Sequence, residues 1–142
     1  MIRQIDNLTD VLPLIKATMP PDVYEQAVEV LSDDRDRVLY GWYENNKLLG
    51  CCGWYFDGHA YWVSWTAVDP AYQHQKIGSV LLYRVRNELA QRGVMALYVE
   101  TYEHPMFVNA VRFYWKHGFR LCGFMENHLE TGETVLYLKK QL

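Results

Sequence analysis

Residues 68–79, Val68-Asp69-Pro70-Ala71-Tyr72-Gln73-His74-Gln75-Lys76-Ile77-Gly78-Ser79, carry the reading of this chain. Val68 closes a stretch rich in aromatic and β-branched residues, which favours a strand. Asp69-Pro70 stops it, because proline cannot donate to a sheet ladder. From Ile77 the apolar residues recur at Leu81, Val85 and Leu89, with Leu82 beside them, which is one face of a helix. Arg84, Asn87, Glu88 and Gln91 fall elsewhere on the wheel, and Gly93 is placed to end it. The segment is therefore a strand end, a tight loop and a helix start.

The N–H groups of such a loop and of a first helical turn have no intrahelical acceptor, and the helix dipole adds partial positive charge. Gln73, His74, Gln75, Lys76, Ile77, Gly78 and Ser79 thus form a candidate anion site suited to a diphosphate. Gly78 allows close approach of a phosphate to the backbone. Read without context, the same residues also satisfy a plain strand-to-helix connection.

Working outward, residues 1–5 read as a short first strand. Asn7 or Thr9 caps a first helix bearing Leu8, Leu12 and Ile15, kept short or irregular by Pro13. Pro20-Pro21-Asp22 opens a second helix with Val23, Ala27, Val30 and Leu31 at helical spacing, ended by residues 32–36. Strands follow at 38–43, 48–56 and 59–68, with a turn at 44–47 and a hairpin signal at Asp57-Gly58. After the helix from Ile77 come a strand at 95–101 and a helix led by Pro105, holding Ala110, Val111 and Tyr114 and closed by Gly118. A final pair of strands spans 119–124 and 134–139. The order β-α-α-β-β-β-α-β-α-β-β predicts an α/β layered fold with a mixed, largely antiparallel sheet.

Bulk properties narrow the function. The length of 142 residues suits a single domain over 1–142, and half of the residues are hydrophobic, enough for a buried core. Lys and Arg number 14 against 17 Asp and Glu, a formal net charge of -3, which offers no field for a nucleic-acid backbone. Cys51, Cys52 and Cys122 are odd in number, with two adjacent on a strand, so reduced thiols packed in a cytoplasmic protein are expected rather than a disulfide framework. No spacing joins them to the histidines as a metal site, and no apolar run suggests a signal peptide or a membrane span.

The stretch Val68-Asp69-Pro70-x-Tyr72-Gln73-x-x-x-Ile77-Gly78-Ser79 resembles the coenzyme A diphosphate motif of the GNAT (GCN5-related) N-acetyltransferases, Arg/Gln-x-x-Gly-x-Gly/Ala, with Gln73 at its first position and Gly78 at its last. Lys76 stands where the family has its middle glycine. A left-handed backbone there costs a lysine about 1–2 kcal/mol, against which its ammonium attracts phosphate. Downstream, Ala110-Val111-Arg112-Phe113-Tyr114-Trp115-Lys116-His117-Gly118-Phe119 is similar to the family's Ala-x-x-Phe-Tyr-x-x-x-Gly-Phe. Phe107 replaces the Asn often found three residues before that Ala, and Asn109 is out of register. Glu100-Thr101 with Pro105 resembles a bacterial subgroup of the family.

What the resemblance implies is a GNAT fold of about seven strands and about four helices. It implies acetyl-CoA as co-substrate, no metal, and direct attack by a primary amine in a ternary complex. The thioester carbonyl is expected at a backbone N–H of the fourth strand, around Ala67 and Val68. Tyr114 matches the position of the donor to the leaving thiolate, and a phenol is protonated at neutral pH. Tyr114 also fits a plain aromatic core beside Phe113, Trp115 and Phe119.

Glu100 is the first candidate base, followed by Glu103, His104 and His59, each of which also reads as an exposed strand end or loop residue; water relays are the alternative. Tyr24, Trp42, Tyr61, Trp62, Trp65 and Tyr102 lie in the segments expected to form the acceptor pocket, and such rings suit a small amine, although any one of them fits the sheet–helix core better. The competing readings are a protein N-terminus or lysine as acceptor, a non-catalytic acyl-CoA-binding sensor or complex subunit, and a purely structural α/β domain. Oligomeric state is not readable from the residues; family members often form homodimers, and that analogy leaves a homodimer open, with the last strand as its exchange edge.

Overall fold

The computed structural model describes residues 1–31, 36–126 and 132–142. Strand β1 is Ile2–Gln4. Asn7 accepts from the Thr9 N–H and starts a 3₁₀ turn, Leu8–Val11, that runs into α1, Leu12–Thr18, with Pro13 in its first turn. Helix α2 is Pro21–Leu31. The expected end of α2 at residues 32–35 lies outside the described residues.

Strands β2, Asp36–Glu44, and β3, Lys47–Phe56, form a hairpin about a turn in which Asn45 and Asn46 take positive φ. Strand β4 is Tyr61–Val68. His59 does not begin it. The Asp57 carboxylate accepts from the N–H groups of His59 and Ala60 at 2.8 and 2.7 Å and holds both in the turn. Those bonds keep its pKa below the usual value.

Helix α3 is Ile77–Gln91 and β5 is Ala96–Glu103. A 3₁₀ turn, Pro105–Phe107, leads into α4, Val108–Lys116. Strands β6, Arg120–Met125, and β7, Thr134–Gln141, complete the order.

These strands make one seven-stranded sheet in the order β1-β2-β3-β4-β5-β7-β6. Every neighbouring pair is antiparallel except β4 and β5. The last hairpin folds back so that β7, not β6, pairs with β5.

Alternation along each strand gives the sheet two apolar faces. On one, Leu81, Val85 and Leu89 of α3 and Tyr114 of α4 pack on Leu49, Val63, Leu97 and Val99. On the other, Leu14 and Ile15 of α1 and Ala27 and Leu31 of α2 pack on Leu39, Cys51 and Ala67. Gly50 lets α3 seat closely, because a Cβ there would lie 2.8 Å from Ile77 Cγ2. Tyr40 on β2 donates its hydroxyl to Glu88 on α3, tying helix to sheet.

Cys51 and Cys52 are free and buried, whereas Cys122 is free and exposed. Burial pushes the Cys51 thiol up to about 12, helped by neighbouring Cys52, and burial alone pushes Cys52 up to about 12. Both folded values exceed the ordinary 9.0, so the native state holds these protons longer than the unfolded chain does. The stability they contribute is therefore complete below pH 9.0 and is lost as pH rises toward 12. With both thiols titrating together the slope reaches about 2.7 kcal/mol per pH unit. Denaturant unfolding across this range should show that decline in the wild-type chain. The Cys51→Ala/Cys52→Ala variant should lose it, and an unchanged slope would exclude the thiols.

Candidate active site

The parallel pairing of β4 with β5 is short: Tyr61 faces Leu97, Trp62 faces Tyr98, and beyond these the strands part. Three residues later β4 bulges. Cys51 pairs with Ala67 and Gly53 with Ser64, so Trp65 and Thr66 together oppose Cys52. The Cys51 thiol donates to the Trp65 carbonyl at 3.2 Å, and the Thr66 hydroxyl lies 3.3 Å from the Cys52 sulfur.

The parting strands open a cavity of about 290 Å³. Its lining draws on both sides of the sheet. Tyr114 and Ala110 enter from α4, and Met19, Val23 and Gln26 from the end of α1 and from α2. Ser64, Trp65 and Thr66 of β4 and Val99, Glu100, Thr101 and Tyr102 of β5 form its walls. The space is a slot through the sheet.

Tyr114 is buried in this slot. Burial raises its pKa well above 10.0, the buried Cys52 thiol adds to the effect, and a hydrogen bond with Thr66 opposes it. The phenol therefore stays protonated throughout the neutral range and acts as a hydrogen-bond donor.

Glu100 is exposed on β5, on the face opposite the α3 packing, and lines the same slot. Tyr102 beside it has a raised pKa, from burial first and then from the Glu100 charge, with Tyr137, Tyr55 and Asp22 also contributing.

The other candidate bases are placed elsewhere. The His104 Nδ1 accepts from the Met106 N–H and caps the turn before α4, and its Nε2 lies 3.5 Å from Glu133. His59 sits in the β3–β4 turn, and neither it nor Glu103 lines the slot. Of the expected aromatic residues, Trp65 and Tyr102 line it. Tyr61 and Trp42 pack against the α3 core, Tyr24 against the α1–α2 core, and Trp62 against Tyr98 and Tyr137.

The loop from Gln73 to Ser79 lies between the end of β4 and the start of α3. Pro70–Tyr72 forms a 3₁₀ turn capped by the Asp69 carboxylate, which accepts from the Ala71 N–H at 2.9 Å. Gln73 turns back and donates from Nε2 to the Val68 carbonyl at 3.2 Å. His74 and Lys76 both adopt left-handed backbone, with φ of 67° and 66°. The first helical bond of α3 runs from the Val80 N–H to the Lys76 carbonyl. Among the described residues, the N–H groups from Gln73 to Ser79 donate to no backbone acceptor outside the helix ladder.

Gly78 presents no side chain at this turn. The nearest atoms to a Cβ there would be those of Phe113 and Val68, at 3.5 and 3.6 Å, an ordinary contact. The Ser79 hydroxyl lies 2.9 Å from His117 Nε2, which joins the start of α3 to the end of α4. Burial, then Lys116 and Lys140, lower the His117 pKa and favour the neutral ring. Ala67 and Val68 lie on β4 between the slot and this loop, opposite Cys51 and Gly50.

The slot and the loop thus form a continuous site along β4. Amides of this kind at a helix start favour an anion, and the slot beside them carries a phenol donor and a carboxylate. Two contributors escaped the sequence reading. The bulge at Trp65–Thr66 leaves no signature in residue type, and Arg37 of β2 also lines the slot. Arg37 does leave a trace, because it shares the strand face of buried Leu39.

The comparisons with known proteins agree with this geometry. A family model described as the acetyltransferase (GNAT) family matches residues 8–119. A GNAT-family protein from Desulfovibrio desulfuricans superposes with a TM-score of 0.88 at 19% identity, covering 99% of this chain and 98% of that one. The ribosomal-protein-S18-alanine N-acetyltransferase of Escherichia coli gives 0.77 at 20%, covering 99% and 92%. A GNAT-family acetyltransferase from Elizabethkingia anophelis with acetyl-CoA bound gives 0.74 at 22%, covering 100% and 97%. No curated protein matches the chain.

The left-handed lysine supplies a direct test of strain in the loop. Lys76→Gly should leave the unliganded melting temperature unchanged or raise it. Relief of about 1–2 kcal/mol is partly offset by the freer unfolded chain. A clear fall in melting temperature would mean that Lys76 holds the loop through contacts rather than straining it.

Proposed function

The chain belongs to the acetyltransferase (GNAT) family, and we propose that it moves an acetyl group from acetyl-CoA to the primary amine of a small molecule. The observation that carries this reading is the slot between β4 and β5, open to both faces of the sheet and lined by Tyr114 on one side and Glu100 on the other. Acetyl-CoA, when bound, supplies the activated thioester and a diphosphate anchor.

The chain's own residues meet those two demands. The amides of residues 73–79 hold the diphosphate, with the Lys76 ammonium adding attraction and the bare Gly78 allowing close approach. Amides of β4 between the bulge and Val68 hold and polarise the thioester carbonyl. Tyr114 donates to the leaving sulfur, whose thiolate has an expected pKa near 8.5 by analogy with cysteine. Because Tyr114 is the weaker acid, its contribution is a hydrogen bond that strengthens as charge develops on sulfur. Glu100 takes a proton from the acceptor ammonium, directly or through water, and the free amine then attacks the thioester carbonyl.

Direct transfer is favoured over an acyl-enzyme. Cys52, whose sulfur lies 3.3 Å from the hydroxyl of slot-lining Thr66, is buried and pushed up to about 12, and Cys51 likewise, so neither offers appreciable thiolate at neutral pH. The free thiols also suit a cytoplasmic setting, which is part of this proposal. A cavity of about 290 Å³ lies at the small end of ligand pockets, roughly 300–1,000 Å³, and favours a small acceptor over a protein segment. Tyr114 inside the slot supports an enzyme over an acyl-CoA sensor.

Tyr114→Phe should lower kcat about 100-fold while leaving coenzyme A affinity nearly intact. Wild-type turnover in that variant removes Tyr114 from the mechanism. Gly78→Glu should weaken coenzyme A binding by setting charge and bulk against a phosphate, as read by calorimetry; unchanged affinity argues against this loop as the diphosphate site. Acetyl-CoA at 100 times its dissociation constant should stabilise the wild-type chain by about 2.7 kcal/mol.

A further inference from the structure

We infer that the pocket between α3, the end of α4 and β7 binds a phosphate monoester, held by Arg86 and Lys140. Neither residue lines the slot or belongs to the loop from Gln73 to Ser79.

This second cavity has a volume of about 220 Å³. Leu82, Tyr83 and Arg86 of α3 line it, with His117 and Phe119 after α4 and Lys140 of β7. Leu82 and Phe119 are buried and give it an apolar base. Arg86, His117 and Lys140 are half-buried. The Lys140 ammonium donates to the His117 carbonyl, and a Cβ on Gly118 would lie 2.7 Å from its Nζ, so the glycine leaves the ammonium its place. Arg86 Nη1 donates to the Asn87 side chain at 3.1 Å. Both acceptors are uncharged, and among the described residues neither cation forms an ion pair. The Arg86 nitrogens that have no partner keep contact with solvent, so a solute can reach them.

The cations crowd each other. Burial first, then Arg86 and Arg120, hold the Lys140 pKa below its usual value. This positive spot sits on a chain whose formal net charge is -3. Like charges side by side are costly, and a dianion between them removes the repulsion. With His117 neutral, Arg86 and Lys140 match a phosphate monoester, which carries about −1.5 to −2 at neutral pH, better than a singly charged carboxylate. The guanidinium fork takes two phosphate oxygens, and the ammonium acts as a point charge beside it. The cavity is smaller than pockets that enclose a whole ligand, roughly 300–1,000 Å³, so the phosphate enters as an end group.

Two sources supply such a group. One is a free phosphorylated metabolite. The other is coenzyme A, which carries a phosphate monoester on its ribose besides the diphosphate. Arg86 lies about 10 Å along α3 from Ser79, and the Ser79–His117 contact joins the start of the helix to the pocket. A carrier seated at the loop is thus within a nucleotide's length of it. Only this second source rests on the transfer reading above.

The test compares wild type with Arg86→Met, Lys140→Met and, as a control for overall charge, Lys16→Gln on α1, across the sheet. Calorimetry reads the affinities for coenzyme A and dephospho-coenzyme A. Melting temperature reads inorganic phosphate at fixed ionic strength, with and without saturating coenzyme A. If the ribose phosphate is the occupant, wild type prefers coenzyme A about 10- to 100-fold. Arg86→Met and Lys140→Met then lose that preference and keep their affinity for dephospho-coenzyme A. If a free monoester is the occupant, the two carriers bind alike. Inorganic phosphate then raises the melting temperature of coenzyme-saturated wild type but not that of the two pocket variants.

Equal binding of the carriers with no response to phosphate overturns the inference. So does a preference or a response that survives in a folded pocket variant, or that falls as far in Lys16→Gln. Should Lys140→Met not fold, Arg86→Met decides alone. If neither carrier binds wild type, the transfer reading falls, and the phosphate titration still decides this inference.

Discussion

The structure depends on two parallel strands that pair for two residues and then separate. Beyond Trp62 and Tyr98, β4 and β5 forgo each other's backbone hydrogen bonds. Backbone N–H and C=O groups demand partners, so a parted sheet interior is tolerable only where side chains, water or a ligand can supply them. The chain meets this demand locally. The Trp65 carbonyl takes the Cys51 thiol, and the Thr66 hydroxyl reaches both the Cys52 sulfur and Tyr114. The bulge turns the β4 backbone toward the opening, and the antiparallel ladders on either side hold the remaining sheet in register. The gap in the middle of the sheet keeps its shape because the ladders on either side hold its rims.

Backbone strain is concentrated in the loop that leads into α3. His74 and Lys76 both sit in left-handed backbone that ordinary side chains avoid. The loop is fixed at both ends, by the 3₁₀ turn capped on Asp69 and by α3, whose Ile77 is clamped over Gly50. Such outliers gather at binding sites because the surrounding fold over-determines them. Under the proposed reading the loop is thus shaped before its ligand arrives, and a diphosphate entering the turn meets amides already aligned.

Much of this was legible in the residues, and the reasons are local. The four-residue rhythm from Ile77 to Leu89, the stop at Asp69-Pro70 and the cap at Asn7 each act within a few positions, so each appeared where expected. His59 misled because strand propensity said nothing of the Asp57 carboxylate gathering two N–H groups into a turn. The placement of β7 between β5 and β6 follows from long-range pairing that no window of sequence contains. Aromatic content showed that rings would surround the site but not which rings. Alternation and the bulge sent Tyr61 inward and Trp65 to the slot. Arg37 was overlooked because a charged residue at a strand start reads as solvent-facing, and only the pairing across the sheet brings it to the slot.

The slot passes from one side of the sheet to the other, and this bears on how a catalytic cycle closes under the proposed reading. The spent carrier, anchored along α3, retreats on the helix side on which it is held, while the acylated product backs out past α1 and α2. Neither departure obstructs the other. Exit order is then set by the grip of each binding surface and not by traffic through a shared doorway, and turnover speed becomes a property of whichever side lets go last.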